Sequence, residues 1–145
     1  MDLKRIIPIL AIMAMMGVFL VAMQPASAAS KTEIKIYTYD QIDPPGMEIE
    51  KNLTMVRGGD MDISATLHVN NGNPQWFRWV NFNVYNDHGD QIVSEERNTA
   101  FGGISRCLIN SKTWERGKYK VCVTYFGNEH DGYPRADKEF TLTII

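Results

Sequence analysis

Three histidines, two cysteines, a few carboxylate pairs and a group of aromatic rings are the side chains here that could do chemistry. His68, His88 and His130 lie far apart, in turns or on an outward strand face. A catalytic triad needs a nucleophile, a base and an orienting acid in contact. No Gly-x-Ser-x-Gly, His-Glu-x-x-His or glycine-rich phosphate loop occurs. Glu95 and Glu96 are adjacent, and neighbours on a strand point to opposite faces, so they cannot act as a pair. Solvated surface is the better reading of these groups, and no enzyme is expected. Asp87, Asp90, Glu129 and Asp131 offer oxygen ligands of the kind calcium takes. Asp87-x-x-Asp90 is equally an ordinary turn, since Asp and Gly suit turn geometry by themselves. No metal and no cofactor are therefore expected.

The aromatic residues carry more. Val80, Phe82 and Val84 share one parity and should face a core, which turns Phe77, Trp79 and Tyr85 outward. Phe126 should project from a neighbouring strand on the same side. Exposed rings on a sheet face mark binding surfaces. With Asn81 and Asn83 between them, these rings would suit a sugar by stacking and hydrogen bonding, or else a protein partner. The competing reading is that the N-terminal lead-in or a second copy of the chain covers this face. Asn52-Leu53-Thr54 is a glycosylation sequon.

Compartment follows from the start of the chain. Lys4 and Arg5 precede an uncharged apolar run, Ile6 to Met23, and Ala26-Ser27-Ala28 supplies a small-x-small cleavage pattern. Residues 1–28 thus read as a signal peptide, and the protein as secreted or held at the cell surface. The alternative is an uncleaved anchor, which exports the rest equally. The remaining chain carries 13 basic and 16 acidic side chains. No basic run survives, so nucleic acid is not an expected partner. Nothing after Met23 is long and apolar enough for a second span. In an oxidising compartment Cys107 and Cys122 read as one disulfide, closing a loop worth on the order of 3 kcal/mol. Cys122 shares parity with Lys120 and Thr124, however, so the bond requires Cys107 on a neighbouring strand of the same sheet, or a bulge. The alternative is two free thiols.

The elements that must position these groups are strands. Residues 29–46 form a lead-in or extra edge strand, broken by Asp43-Pro44-Pro45-Gly46. Residues 47–145 then form one domain. Met47 to Val56 reads as a strand, Ile63 to Val69 as a second and Trp76 to Tyr85 as a third. Gln91 to Glu96 has Ile92 alone to pack, Ile104 to Ile109 follows, and Tyr119 to Tyr125 alternates cleanly. Glu139 to Ile145 is the last strand. Turn signals separate them, and no helical period appears after Met23. This is an all-β chain, an antiparallel β-sandwich of about seven strands.

The order of motifs carries a resemblance. Gly58-Gly59-Asp60, Val80-x-Phe82-x-Val84, Asp87-x-Gly89 and Thr99-x-x-Gly102 are followed by a longer run from Trp114 to Asn128. That run reads Trp114-x-x-Gly117-x-Tyr119-x-Val121-x-Val123-x-Tyr125-x-Gly127-Asn128, and Phe140-x-Leu142-x-Ile144 closes the set. From about Leu53 onward the chain resembles the immunoglobulin-like modules of prokaryotic surface and adhesin-like proteins, including those of methanogens. The resemblance implies an immunoglobulin-like sandwich, with Tyr119 as its corner residue, and a role as a stalk or binding unit at the cell surface; a structural envelope subunit pairing through its edge strands is a separate alternative. It would also place the two cysteine-bearing strands in opposite sheets. A second likeness is to chagasin-like cysteine-protease inhibitors, carried by Asn73-Pro74, Gly102-Gly103 and Tyr133-Pro134-Arg135. It implies inhibition through those loops, although Gln75-Trp76-Phe77 replace the inhibitors' Thr-Thr-Gly.

Overall fold

A computed structural model describes residues 29–145; the signal-peptide reading of residues 1–28 lies outside them. Eight strands form. They are β1 (Thr32–Thr38), β2 (Asn52–Met55), β3 (Asp60–Val69), β4 (Trp79–Tyr85), β5 (Gln91–Asn98), β6 (Ile104–Asn110), β7 (Gly117–Tyr125) and β8 (Ala136–Ile144). One sheet has three strands in the order β1-β3-β6, and the other has five in the order β2-β8-β7-β4-β5. Strand order alternates between sheets as in an immunoglobulin sandwich: β1, β3 and β6 take one side, while β4, β7 and β8 take the other. Every pairing is antiparallel except β2 with β8, which is parallel.

The count exceeds seven because the lead-in supplies β1, paired to β3 from Thr32↔Val69 to Thr38↔Ile63. The stretch Met47 to Val56, expected as one strand, divides. Ile49 N–H donates to the Ile36 carbonyl beside β1, and Asn52–Met55 then crosses to the opposite sheet. β4 begins at Trp79, later than the pattern suggested, because Phe77 has a positive φ of 56° that no strand accommodates.

Period-two alternation builds the core. Val80, Phe82 and Val84 of β4 are fully buried, with Val121 and Val123 of β7 beside them and Phe140 and Leu142 of β8 beyond. Ile63, Ala65 and Leu67 of β3, with Ile34 and Ile36 of β1, supply the opposing layer. Each such large side chain contributes about 1.5–3 kcal/mol. The Tyr119 hydroxyl donates to the Glu115 carbonyl at 2.7 Å, and its ring lies 5.0 Å from Trp114. This is the tyrosine-corner geometry at the start of the sandwich's penultimate strand.

Two expectations are corrected here. Ile92 does not pack inward; it is exposed, and Val93 is the partly buried residue. Val93 stands across from the buried Val84 in regular register, so Ile92 beside it points outward, at the shift that pairs Tyr85 with Gln91. Cys107 and Cys122 form no disulfide. Cys107 points into the core from β6, whereas Cys122 points outward from β7 in the other sheet. Immunoglobulin domains that carry the inter-sheet bond place its second cysteine two residues after the corner tyrosine. Val121 holds that position here, and a one-residue offset puts Cys122 on the opposite face.

Candidate functional site: an aromatic cleft on the five-stranded sheet

The outer face of the five-stranded sheet is set by cross-strand register. Asn81 lies between Thr124 of β7 and Glu96 of β5, and Trp79 pairs with Asn98. Continuing that register beyond β7 brings Phe126 beside Trp79. Trp79, Phe77 and Phe126 are all well exposed, at 57%, 66% and 61%, so the sheet does not bury the rings it presents. The three border one cleft of about 190 Å³, whose polar lining comes from Arg78, Asn81, Glu96 and Asn128.

Phe77 reaches this cleft from the loop before β4 through its left-handed backbone. For a bulky residue that geometry costs about 1–3 kcal/mol and needs support from its surroundings. Thr99 supplies it. The Thr99 hydroxyl donates to the Gln75 carbonyl at 2.7 Å and accepts from the Arg78 N–H at 2.9 Å. The Thr99 N–H donates to the Arg78 carbonyl at 2.9 Å, and its own carbonyl accepts from Phe77 N–H at 3.4 Å. Thr99 is fully buried, so its own hydroxyl has no water to turn to.

Ion pairs fix the rim. Arg78 pairs with Asp131 at 2.6 Å and lies over the Tyr133 ring at 5.4 Å. Arg135 lies over Phe126 at 5.2 Å and binds both oxygens of Asp137, at 2.9 and 3.0 Å. Thr124 also donates to Asp137 at 2.7 Å. The Arg135 and Thr124 hydrogen bonds hold the Asp137 carboxyl below the usual range.

Not every expected residue joins the cleft. Tyr85 sits at the far end of β4, roughly 20 Å along the strand from Trp79, beside Lys120, whose ammonium is 5.7 Å from its ring. Asn83 accepts a hydrogen bond from Gln91 at 3.1 Å. Asn52 is exposed on β2, a short strand at the sheet edge. Glu96 was read from sequence as plain solvated surface; its place beside the rings emerges only from the β4–β5 register.

His68 and Asn86 make local contacts away from the cleft. His68 Nε2 lies 2.8 Å from the Thr66 hydroxyl, and Nδ1 lies 2.8 Å from the Gly72 carbonyl, to which it donates. Asn86 Oδ1 accepts from the N–H groups of His88 and Asp90, so that stretch is a side-chain-closed turn. A wider cleft, about 540 Å³, opens over the seam between β5 and β6 and includes Arg97, Phe101 and Arg106. Both its arginines are already engaged, with Glu95 and Asp62. Burial and the nearby Glu95 push the Cys107 thiol up to about 12.

Three loops meet at the end of the sandwich that carries the cleft. Gly103 packs against Pro74 so closely that a Cβ would fall 2.6 Å from the proline ring. The Arg78–Asp131 pair ties the loop before β4 to the β7–β8 loop. The sequence stretches singled out as inhibitor-like loops therefore lie together.

No known protein family and no curated protein matches the chain. Among solved structures, it is similar to a family 123 glycoside hydrolase from Clostridium perfringens, studied for glycolipid glycan hydrolysis, at 11% identity and a TM-score of 0.42. That match covers 81% of this chain and 27% of the hydrolase, so the chain spans about a quarter of that protein's length. It is also similar to the CARDB domain of a Pyrococcus furiosus protein, solved in complex with di-metal ions, at 11% identity and a TM-score of 0.40. That match covers 80% of this chain and 87% of the domain.

Proposed function

We propose that this protein is an exported, non-catalytic binding module that engages a glycan through the outer face of its five-stranded sheet. One observation carries the reading: three rings, Phe77, Trp79 and Phe126, stand exposed around one cleft with an amide side chain between them. Sugar rings offer apolar C–H faces to aromatic planes and hydroxyls to amides, which is the complement of this surface. The backbone strain at Phe77 adds support, since the ring stays largely exposed and packs only beside Trp76, with ring centres 6.1 Å apart. The test is titration calorimetry against a panel of soluble oligosaccharides. Trp79→Ala should weaken binding about tenfold or more with the unfolding midpoint unchanged. Undiminished binding by that variant would remove this face from the reading.

A second reading rests on a different observation: Gly103 packs on Pro74, and Arg78 links the loop before β4 to Asp131 and Tyr133 of the β7–β8 loop at the same end. Such a loop cluster could enter the cleft of a papain-like protease. Stoichiometric loss of protease activity on titration would favour it over glycan binding.

A further inference from the structure

We propose that the aromatic cleft takes a sugar bearing a free ammonium group, with Glu96 as the residue that reads the charge. The inference rests on the glycan reading and names its ligand class. Glu96 and Asn81 are a direct cross-strand pair, and both border the cleft with Phe77, Trp79 and Phe126. The cations at the cleft, Arg78 in its lining and Arg135 over Phe126, are already matched. Arg78 is paired with Asp131, and Arg135 is held by both oxygens of Asp137. Arg97, the neighbour of Glu96 in sequence, bonds the Glu95 carboxylate on the opposite face and reaches only the backbone carbonyl of Glu96.

Among the described residues Glu96 therefore has no ion-pair partner. The cleft presents one unmatched carboxylate among ring faces that are themselves negative. Both features favour a cation and disfavour an acidic sugar. The protein uses the same attraction internally: Arg78, Arg106, Lys120 and Arg135 each lie over an aromatic ring. An amino sugar satisfies all three elements together: its ring stacks on Trp79 or Phe126, its hydroxyls meet Asn81, and its ammonium meets Glu96.

The test compares a glucosamine oligomer, the same oligomer N-acetylated, and a glucose oligomer of equal length. The free-amine oligomer should bind about tenfold more tightly than the other two, with a preference that shrinks as salt rises. Glu96→Gln should remove most of that preference while leaving the affinity of the other two unchanged, and Trp79→Ala should weaken all three. Equal affinity for the three, or a preference undiminished by Glu96→Gln, would overturn the charge reading and leave glycan binding standing. If none of these and no oligosaccharide in the wider panel binds through Trp79, both readings fall.

Discussion

Phe77 occupies a backbone conformation that suits glycine, yet it presents a phenyl ring to solvent there. If the ring is kept for its ligand, fold and function should separate at this position. Phe77→Gly removes the ring and the steric cost together, whereas Phe77→Ala removes the ring and keeps most of the cost. Urea denaturation should therefore find the glycine variant more stable than the alanine variant by about 1 kcal/mol, with ligand binding lost in both. Equal midpoints would mean that this backbone is not strained. The sequence contains no sign of that conformation: Phe is an ordinary strand residue, and its parity with Trp79 and Tyr85 invited a strand through Trp76. Glu96 was hidden for a related reason. Its importance depends on which residue stands across from it, and register is not a property of one strand alone.

The segments that set the cleft differ in how openly the sequence declares them. β4, β7 and β8 alternate so regularly that their buried faces could be read directly, and Tyr119 after Gly117 marked the corner. β5 could not be read that way, because only Val93 and Glu95 mark its inner face and a register shift follows at Ile92. The loop before β4 depends on a partner more than twenty positions away in sequence, Thr99, whose hydroxyl serves Gln75 and Arg78 at once. Thr99→Val keeps the shape and deletes the hydroxyl, leaving the Arg78 N–H and the Gln75 carbonyl, both partly buried, without that partner. The expected cost is about 1–3 kcal/mol, with faster hydrogen exchange at the Arg78 amide and weaker ligand binding as Phe77 loses its support. Unchanged exchange at Arg78 would show that the loop is held by other contacts.

The sandwich as a whole stands on its buried apolar layers without a covalent cross-link. The parity of Cys122 already argued against the bond, but only the sheet assignment of β6 decides it. Reductant should accordingly leave the melting temperature unchanged. Alkalinity should not. Because the folded-state pKa of Cys107 is raised from 9.0 to about 12, the unfolded chain gives up that proton first. Stability should then fall progressively as pH rises from about 9 towards 12. Urea midpoints measured across that range in the protein and in Cys107→Ala should diverge in slope; parallel slopes would assign the alkaline loss to other groups.

The placement of the first and last strands has a mechanical consequence. β1 enters at the end bearing the three loops, where the Lys31 N–H bonds the Asn70 side chain at 2.8 Å, and β8 leaves at the opposite end beside Met55 and Gly117. Tension along the chain would draw β1 one way and β8 the other, each parallel to its own ladder. Seven paired residues hold β1 to β3, and β8 is gripped on both sides, by β7 and by β2. Bonds loaded in shear must yield together rather than unzip one after another, so the fold is arranged to carry a pulling load from end to end.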